Sequence, residues 1–195
     1  MPRRTLIVMV KEPRPGRVKT RLGAEIGMVR AAWWYRHQCR ALLNRLRDPR
    51  WHLVLAVSPD REGLQSRVWP GDLPRWPQGS GRLGDRMRRL LASADGPAVL
   101  IGSDIPGVTR AQIARAFATL GGHDLVFGPA TDGGYWLVGT AHPRLAGRGL
   151  FQGVRWSGPH ALADSIASAA PWRTALVDHL HDVDVAGDLG TASPP

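Results

Sequence analysis

Twelve residues near the N-terminus combine basic side chains with prolines and a glycine. The segment "KEPRPGRVKTRL", residues 11–22, contains Lys11, Arg17, Lys19 and Arg21 together with Gly16. Such a loop suits a phosphate group, because the cations neutralise its charge and glycine permits close approach of the backbone. Val18 stands where a Walker loop requires glycine before Lys-Thr, so the segment is not a Walker loop. A solvated basic loop without a ligand is the alternative interpretation.

Lysine is otherwise missing from this arginine-rich chain. Lys11 and Lys19 are its two lysines among 26 lysine and arginine residues, and both lie in the same segment. The compact ammonium of lysine differs from the planar guanidinium of arginine in geometry and hydration. The restriction of lysine to this segment therefore favours a specific role for the two lysines. Chance is the alternative.

Acidic residues follow two of the apolar runs. Asp104 follows "AVLI" in "IGSDIPG", and Asp182 and Asp184 lie in "DVDVAGDL" near the C-terminus. Carboxylates at the ends of strands can hold a hard divalent cation such as Mg²⁺ or Mn²⁺. The alternatives are a turn or a helix N-cap, which aspartate also favours.

The segment "GPATDGGYWLVG", residues 128–139, places a carboxylate and two glycines between apolar runs. Asp132 precedes Gly133 and Gly134, and Tyr135 follows them. Asp-Gly is a strong hairpin signal, which explains the glycines without any ligand. Alternatively, bare backbone here lets a substrate approach closely, and Asp132 contacts its hydroxyl or the water shell of a metal.

Two further positions are candidates for contacts with a ligand. In "QGSGRLGDRM", residues 78–87, Gln78 precedes Gly79, and its amide offers both a donor and an acceptor to the edge of a nucleotide base. We predict that Trp156 in "FQGVRWS" lies at a ligand-binding cleft. The alternative is a buried core or interface position, which is the usual one for tryptophan.

The elements that position these residues follow from the hydrophobic pattern. Short continuous apolar runs, including "TLIVMV", "HLVLAV" and "AVLI", alternate with helical stretches. Continuous apolar strands are typical of a mostly parallel sheet covered by helices on both faces, and we predict one α/β domain spanning residues 1–195. Ligands of such folds bind beyond the carboxyl ends of the strands, where the candidate residues lie.

Three local predictions concern the helices. The pattern predicts one helix from about residue 21 to residue 47 and another from about residue 157 to residue 170, capped by Ser157 with Pro159 in its first turn. Thr109 stands at the N-cap of a third helix, "RAQIARAFATL".

Composition excludes several classes of protein. No apolar run approaches the roughly 20 residues that span a bilayer, and Cys39 is the single cysteine, which excludes a disulfide framework. The net charge of +10 raises the question of nucleic acid, but arginine is scattered along the chain without interleaved aromatic residues. We therefore predict a cytoplasmic protein that does not bind nucleic acid and does not span a membrane. A homodimer stays open.

The order of these motifs resembles one family over nearly the whole chain. The segments "KEPRPGRVKTRL", "QGSGRLGDRM", "IGSDIPG", "GPATDGGYWLVG", "FQGVRWS" and "DVDVAGDL" are similar to those of the bacterial DUF2064 proteins, which are regarded as glycosyltransferases. That family is related to the phospholactate guanylyltransferases and the molybdenum-cofactor nucleotidyltransferases. The resemblance implies a GT-A-type, Rossmann-like three-layer sandwich, the fold of nucleotide-diphosphosugar transferases.

The resemblance also implies roles for single residues in phosphate, base and metal binding. Gly16, Lys19 and Arg21 match the loop that wraps the nucleotide phosphates, with Lys11 beside them, and Gln78 and Gly79 match the stretch that contacts the base. Asp104 matches the metal-binding aspartate, although many GT-A enzymes carry Asp-x-Asp where this chain has "SDIP". Asp184 is the better match for the second metal ligand, with Asp182 in reserve.

The implied activity is that of a metal-dependent enzyme. It moves the sugar of a nucleotide sugar to a small acceptor, with Lys19 stabilising charge and Asp132 as a base. Residues 133–135 and Trp156 would contact the substrate. One alternative is a nucleotidyltransferase that joins a nucleotide to a small phosphorylated substrate and releases pyrophosphate. An alternative of another class is a non-catalytic nucleotide-binding module that regulates a partner.

Overall fold

The computed structural model describes residues 3–147 and 149–180 and contains seven strands and six α-helices. The strands are β1 (Thr5–Lys11), β2 (His52–Ser58), β3 (Arg75–Pro77), β4 (Ala98–Ile101), β5 (Leu125–Pro129), β6 (Tyr135–Thr140) and β7 (Thr174–Leu176). The helices are α1 (Thr20–Ile26), α2 (Met28–Arg45), α3 (Asp60–Gln65), α4 (Leu83–Ala92), α5 (Arg110–Thr119) and α6 (Ala161–Ser168), and a 3₁₀ turn spans Pro143–Leu145.

The strands form one sheet in the order β3-β2-β1-β4-β6-β5-β7. All neighbours pair in parallel except β6, which is antiparallel to both β4 and β5. At the centre of the sheet Val8 lies opposite Leu55 on one side and Ile101 on the other. The chain is thus a single-domain α/β protein with a mostly parallel sheet, which confirms the predicted fold class.

Helices cover both faces of the sheet, as the continuous apolar strands predicted. Leu6 and Val8 of β1 pack into a cluster that includes Leu42 of α2 and Phe117 of α5. The neighbouring Ile7 points to the opposite face, where Leu90 of α4 lies in a second cluster. This alternation follows from the period of two along a strand, and it produces three layers with a core on each side of the sheet.

Two of the predicted helices differ from those observed. The helix predicted from residue 21 to residue 47 is divided into α1 and α2 at Gly27, whose φ of 95° no helix can contain. The helix predicted from residue 157 begins only at Ala161, with His160 at its N-cap, and Ser157 has a φ of 63°. The capping prediction for Thr109 is confirmed, since its hydroxyl and the side chain of Gln112 form a reciprocal capping box.

The carboxyl ends of β1 and β4 and the start of β6 meet at one edge of the sheet. The antiparallel pairing of β5 with β6 brings the 130–134 turn to the same edge. The loops that follow β1 and β4 therefore face this turn. In the two described ranges, no helix is both long and apolar enough to cross a membrane.

Candidate functional site

A cleft with two lobes opens at this edge of the sheet. The basic lobe, of about 620 Å³, is lined by Lys11, Arg17, Lys19 and Arg86 together with apolar residues from β1, β4 and α4. The aromatic lobe, of about 410 Å³, lies between the loop after β4, the 130–134 turn and the segment that precedes α6. The two lobes share a wall made of Leu83, Met87, Gly102, Asp104, Tyr135 and Trp136.

A short ion pair stands where the two lobes meet. Nζ of Lys19 lies 2.7 Å from Oδ1 of Asp104. The lysine side chain is only 5% exposed, whereas that of Asp104 is 54% exposed. Lys19 also adopts the left-handed conformation, with φ 46° and ψ 48°, which is uncommon for a residue with a side chain. Strained backbone of this kind persists where the surrounding structure holds it, and here it directs the ammonium group into the cleft.

Tyr35 of α2 connects the last residue of β1 with the loop after β4. Its hydroxyl accepts a hydrogen bond from the backbone N–H of Lys11 at 3.0 Å and forms another with Oγ of Ser103 at 2.9 Å. Burial raises the pKa of the Tyr35 hydroxyl well above its ordinary value, so the group stays neutral. This residue of α2 therefore links the backbone at the end of β1 to the side chain of Ser103, which precedes Asp104.

Arg45, at the end of α2, holds the other half of the loop after β4. Its Nε donates to the carbonyl of Val108 at 2.8 Å, and a terminal nitrogen donates to the carbonyl of Pro106. Desolvation lowers the pKa of this guanidinium. Because Ser103 and residues 106–108 are both tied to α2, Asp104 is presented toward the cleft on a segment anchored at each end.

The structure brings some members of the predicted phosphate loop to the cleft and leaves others outside it. Lys11 and Lys19 line the basic lobe, as does Arg17. Gly16 and Arg21 are exposed to solvent and do not line either lobe. The role assigned to Gly16 and Arg21 stays a prediction that this geometry does not support.

Gln78 and Gly79 lie beside the cleft in different ways. Gln78 lines the basic lobe, but its Nε2 donates to the carbonyls of Val10 and Ala56 at 3.2 and 2.8 Å. Its amide donor is thus engaged by the sheet, and only its oxygen is a candidate for a base. The N–H of Gly79 donates to both oxygens of Asp60 at 3.1 Å, which gives this glycine a structural role outside the cleft.

The Asp-Gly-Gly turn is a compact hairpin connection. Oδ1 of Asp132 accepts a hydrogen bond from the N–H of Gly134 at 2.8 Å, the arrangement of an Asx turn. Gly133 has a φ of +84°, and a Cβ there would lie 2.4 Å from Cα of Pro159. The close approach at Gly133 is therefore to the chain before α6 and not to a ligand. Asp132 and Gly134 line the aromatic lobe.

Aromatic rings form the inner wall of the second lobe. Tyr135 and Trp156 lie 6.4 Å apart between ring centroids, and both line the lobe. The hydroxyl of Tyr135 accepts from Oγ of Ser165 at 3.2 Å, and burial raises its pKa above the ordinary value. The position of Trp156 is supported by its neighbour Arg155, whose backbone N–H and guanidinium donate to the carboxylate of Asp164 in α6.

Asp104 is the one predicted metal ligand within the described residues, since Asp182 and Asp184 lie outside them. The described ranges hold no group of three or more histidine, cysteine, aspartate or glutamate side chains that could bind a metal. An exposed carboxylate fits a cation that takes its remaining oxygen ligands from a phosphorylated substrate and water, as Mg²⁺ commonly does. It does not form a protein cage by itself.

Sequence reasoning missed three residues of this site: Arg86, Tyr35 and Ser103. Arg86 lies within the segment "QGSGRLGDRM", on α4 and three residues beyond Leu83, and a helical projection of α4 would have found it. Tyr35 shares its helix face with Cys39, so its spacing indicated only a core position. Its hydrogen bond to Ser103 joins residues 68 apart, which no local pattern reveals.

Comparison with known families gives one match. The profile of DUF2064, described as "Uncharacterized protein conserved in bacteria", matches residues 42–158, more than half of the chain. That region includes Asp104, the 130–134 turn and Trp156. Among curated proteins, none matches the sequence significantly.

Solved structures with the same fold include nucleotide-using enzymes. A protein described as "putative nucleotide-diphospho-sugar transferase", from Desulfovibrio desulfuricans G20, is 28% identical with a TM-score of 0.82, over 98% of this chain and 86% of that one. The 2-C-methyl-D-erythritol 4-phosphate cytidylyltransferase of Thermus thermophilus is 16% identical with a TM-score of 0.58, over 96% of each chain. Rv0371c of Mycobacterium tuberculosis H37Rv, in a complex with manganese, is 16% identical with a TM-score of 0.53, over 97% of each chain.

The family match covers the loop after β4, the hairpin turn and the aromatic lobe, and the structural match extends over almost the entire chain. The chain therefore belongs to the DUF2064 family of bacterial proteins, and it has the fold of the nucleotide-diphosphosugar transferases.

Proposed function

We propose that this chain is a metal-dependent transferase that binds a nucleotide sugar and moves the sugar to a small acceptor. The observation that carries the proposal is the Lys19–Asp104 pair, which sets a buried ammonium beside an exposed carboxylate at the junction of the two lobes. A diphosphate bound with a divalent cation needs both charges at one place. The Desulfovibrio desulfuricans protein of the same fold, described as a "putative nucleotide-diphospho-sugar transferase", supports the choice of substrate class.

The basic lobe would take the nucleotide diphosphate. Lys11, Arg17, Lys19 and Arg86 line it, and its volume of about 620 Å³ is in the usual range for a small-molecule site. The cations would neutralise the phosphates and stabilise the negative charge that develops on the leaving nucleoside diphosphate. Gln78 would offer its amide oxygen to the base, because its amide nitrogen is held by two backbone carbonyls.

Asp104 would hold the divalent cation, with Asp184 as the proposed second ligand. The bound cation would supply Lewis-acid stabilisation of the diphosphate leaving group. Lys19 would then exchange its contact with Asp104 for a phosphate oxygen. The ion pair would keep both side chains in place before substrate arrives, since each partner satisfies the charge of the other.

Transfer would take place where the two lobes join. A hydroxyl of the acceptor, in the aromatic lobe, attacks the anomeric carbon of the sugar. The carbon–oxygen bond to the diphosphate breaks, the nucleoside diphosphate departs with the electron pair, and the hydroxyl proton passes to the carboxylate of Asp132. The hydrogen bond from Gly134 to Asp132 would keep this carboxylate oriented at the rim of the lobe.

Nucleotidyl transfer is the second candidate. The single aspartate of "SDIP", where many sugar transferases carry two, favours it, and the cytidylyltransferase of Thermus thermophilus shares the fold. In that reaction a phosphate of the second substrate attacks the α-phosphorus of a nucleoside triphosphate and pyrophosphate leaves. A non-catalytic module would bind the nucleotide without either product. A cytoplasmic location, a homodimer and the lack of nucleic-acid binding stay predictions.

Calorimetric titration with nucleoside diphosphates, with and without Mn²⁺, tests the binding site. We expect Asp104→Asn to lose the dependence of affinity on Mn²⁺. The matched control is Asp95→Asn, which changes an exposed aspartate in the loop before β4, at the opposite edge of the sheet. Equal Mn²⁺ dependence in Asp104→Asn and the unchanged protein would refute the assignment of Asp104.

Product analysis separates the candidate activities. Incubation with a panel of nucleotide sugars and neutral acceptors should release nucleoside diphosphate, whereas nucleotidyl transfer from nucleoside triphosphates should release pyrophosphate. Release of pyrophosphate alone would replace sugar transfer by the second candidate. Tight nucleotide binding without either product would favour the regulatory module.

A further inference from the structure

We propose that the aromatic lobe selects an acceptor that carries no phosphate: a neutral, hydroxylated molecule with an apolar face. This inference rests on the proposed function, and it names the class of the second substrate. It follows from the different charges and surfaces of the two lobes.

The lobes differ sharply in charge. Four basic side chains line the basic lobe, namely Lys11, Arg17, Lys19 and Arg86. Within the described part of the chain, the aromatic lobe is lined by no lysine, arginine or histidine, and its charged residues are Asp104 and Asp132. A site that must hold a phosphate provides arginine, lysine or a group of backbone N–H donors to pair with it. The aromatic lobe has two carboxylates in place of basic side chains, and the N–H groups of Ala161 and Leu162 at the start of α6 already donate to the carbonyls of Gly158 and Gly133.

Outside the described ranges the sequence carries both basic and acidic side chains. Residues 181–195 contain His181 and three aspartates, Asp182, Asp184 and Asp188, but neither lysine nor arginine. Beyond the first two residues of the chain and this segment, Arg148 is the remaining position outside the described ranges, and it is a basic one. Its contribution can be tested directly by substitution.

Repulsion would therefore oppose a phosphorylated acceptor. A phosphate monoester carries between one and two negative charges at neutral pH, and it would face the carboxylate of Asp132, whereas that of Asp104 is paired with Lys19. Repulsion between like charges lowers the affinity for a phosphorylated acceptor relative to a neutral one, and binding sites exclude unwanted ligands in this way. A hydroxyl group meets the opposite situation, because a carboxylate accepts its hydrogen bond.

The remaining wall of the lobe fits an apolar molecular face. Trp156 is half-buried, Tyr135 and Trp136 lie beside it, and Ile105 and Val108 come from the loop after β4. Aromatic rings pack well against the C–H face of a cyclic molecule such as a sugar. Besides the Tyr135 hydroxyl and the indole nitrogens, the polar side chains of the described lining are those of Asp104, Asp132 and Ser157. Hydroxyls would be recognised by these three, and the apolar face by the aromatic wall.

The test compares matched acceptors that differ only by a phosphate group. Sugars and cyclic polyols, each paired with its monophosphate, are titrated into the full-length protein saturated with a nucleoside diphosphate and Mn²⁺. Binding is followed by tryptophan fluorescence and by ligand-observed NMR, so no turnover is needed. We expect at least one neutral member to bind at least tenfold more tightly than its phosphorylated counterpart.

Three substitutions make the test specific to the lobe. Trp156→Ala should weaken the neutral acceptor at least tenfold and leave the affinity for the nucleotide within twofold. Trp172→Ala, which changes an exposed tryptophan that lines neither lobe, should change neither affinity. In addition, Ser157→Lys introduces a cation into the lobe and should narrow the preference for the neutral member.

The outcomes are distinct. The inference would be overturned if the phosphorylated members bind more tightly than the neutral ones, and a loss of that preference in Arg148→Ala would assign it to Arg148. It would also be overturned if no neutral member binds. The proposed function would fail separately, through loss of Mn²⁺-dependent nucleotide binding or through release of pyrophosphate in place of nucleoside diphosphate.

Discussion

Removal of the Tyr35 hydroxyl tests the way in which α2 supports the site. In Tyr35→Phe the ring stays in place, but the backbone N–H of Lys11 and the hydroxyl of Ser103 lose their partner. Ser103 is only 4% exposed, so water cannot easily replace the bond. The expected effects are a loss of stability and a displaced loop after β4.

The magnitude follows from the number of hydrogen bonds. Each costs about 1 kcal/mol when its partner is removed, and a buried group left unsatisfied costs more, so we expect a loss of about 2 kcal/mol. For a chain of this size that corresponds to a Tm lower by about 4–8 °C. Urea unfolding should give the same difference in free energy with an unchanged m-value, because the surface exposed on unfolding is the same.

Tyr135→Phe is the matched control. Its hydroxyl accepts a single, longer hydrogen bond of 3.2 Å from Ser165, and the expected loss is about 1 kcal/mol. A second measurement concerns Asp104, whose loop is released in Tyr35→Phe, so Mn²⁺-dependent nucleotide binding should weaken in that variant. A loss in Tyr35→Phe that does not exceed the loss in the control would refute the reasoning.

Three other predictions use the same structure. Gly133→Ala should destabilise the chain by about 2 kcal/mol or more, since its Cβ meets Pro159 at a positive φ; Gly16→Ala shares the positive φ but has open space, so equal thermal shifts would contradict the clash. Burial raises the pKa of the Cys39 thiol from 9.0 to about 12. As the pH rises, the thiol of the unfolded chain loses its proton first, so the free energy of unfolding should fall between pH 9 and pH 12. Cys39→Val should reduce this fall, measured by urea unfolding at each pH. An equal fall in the variant and the unchanged protein would contradict the prediction. Lys19→Met should weaken a nucleoside diphosphate at least tenfold by calorimetry while changing a nucleoside little, and equal losses would remove the phosphate assignment.

The Lys19–Asp104 pair connects these tests to function. With the lysine almost buried and the carboxylate half-exposed, the pair is accessible to a substrate from the side of Asp104. A change at either partner should therefore act on both lobes.

Local chemistry was readable from the sequence. The capping box at Thr109 spans three residues, and the Asp132–Gly134 hydrogen bond spans two, so their geometry follows from neighbouring residue types. The continuous apolar runs likewise predicted a parallel sheet, because a strand buried on both faces has no polar side. Since a parallel sheet collects the ends of its strands at one edge, the sequence also predicted that Lys19 and Asp104 would lie near each other.

Tertiary contacts decided what each residue does at that edge. Gln78 donates hydrogen bonds to the carbonyls of Val10 and Ala56. Gly133 packs against Pro159, and Tyr35 forms a hydrogen bond with Ser103. All of these contacts join residues far apart in the chain. The sequence by itself determined the elements, their alternation and the types of side chain at the strand ends. Only the folded structure determined which polar groups face the cleft and which are satisfied elsewhere, because a hydrogen bond or a steric contact depends on the distance between atoms and not on the spacing of residues.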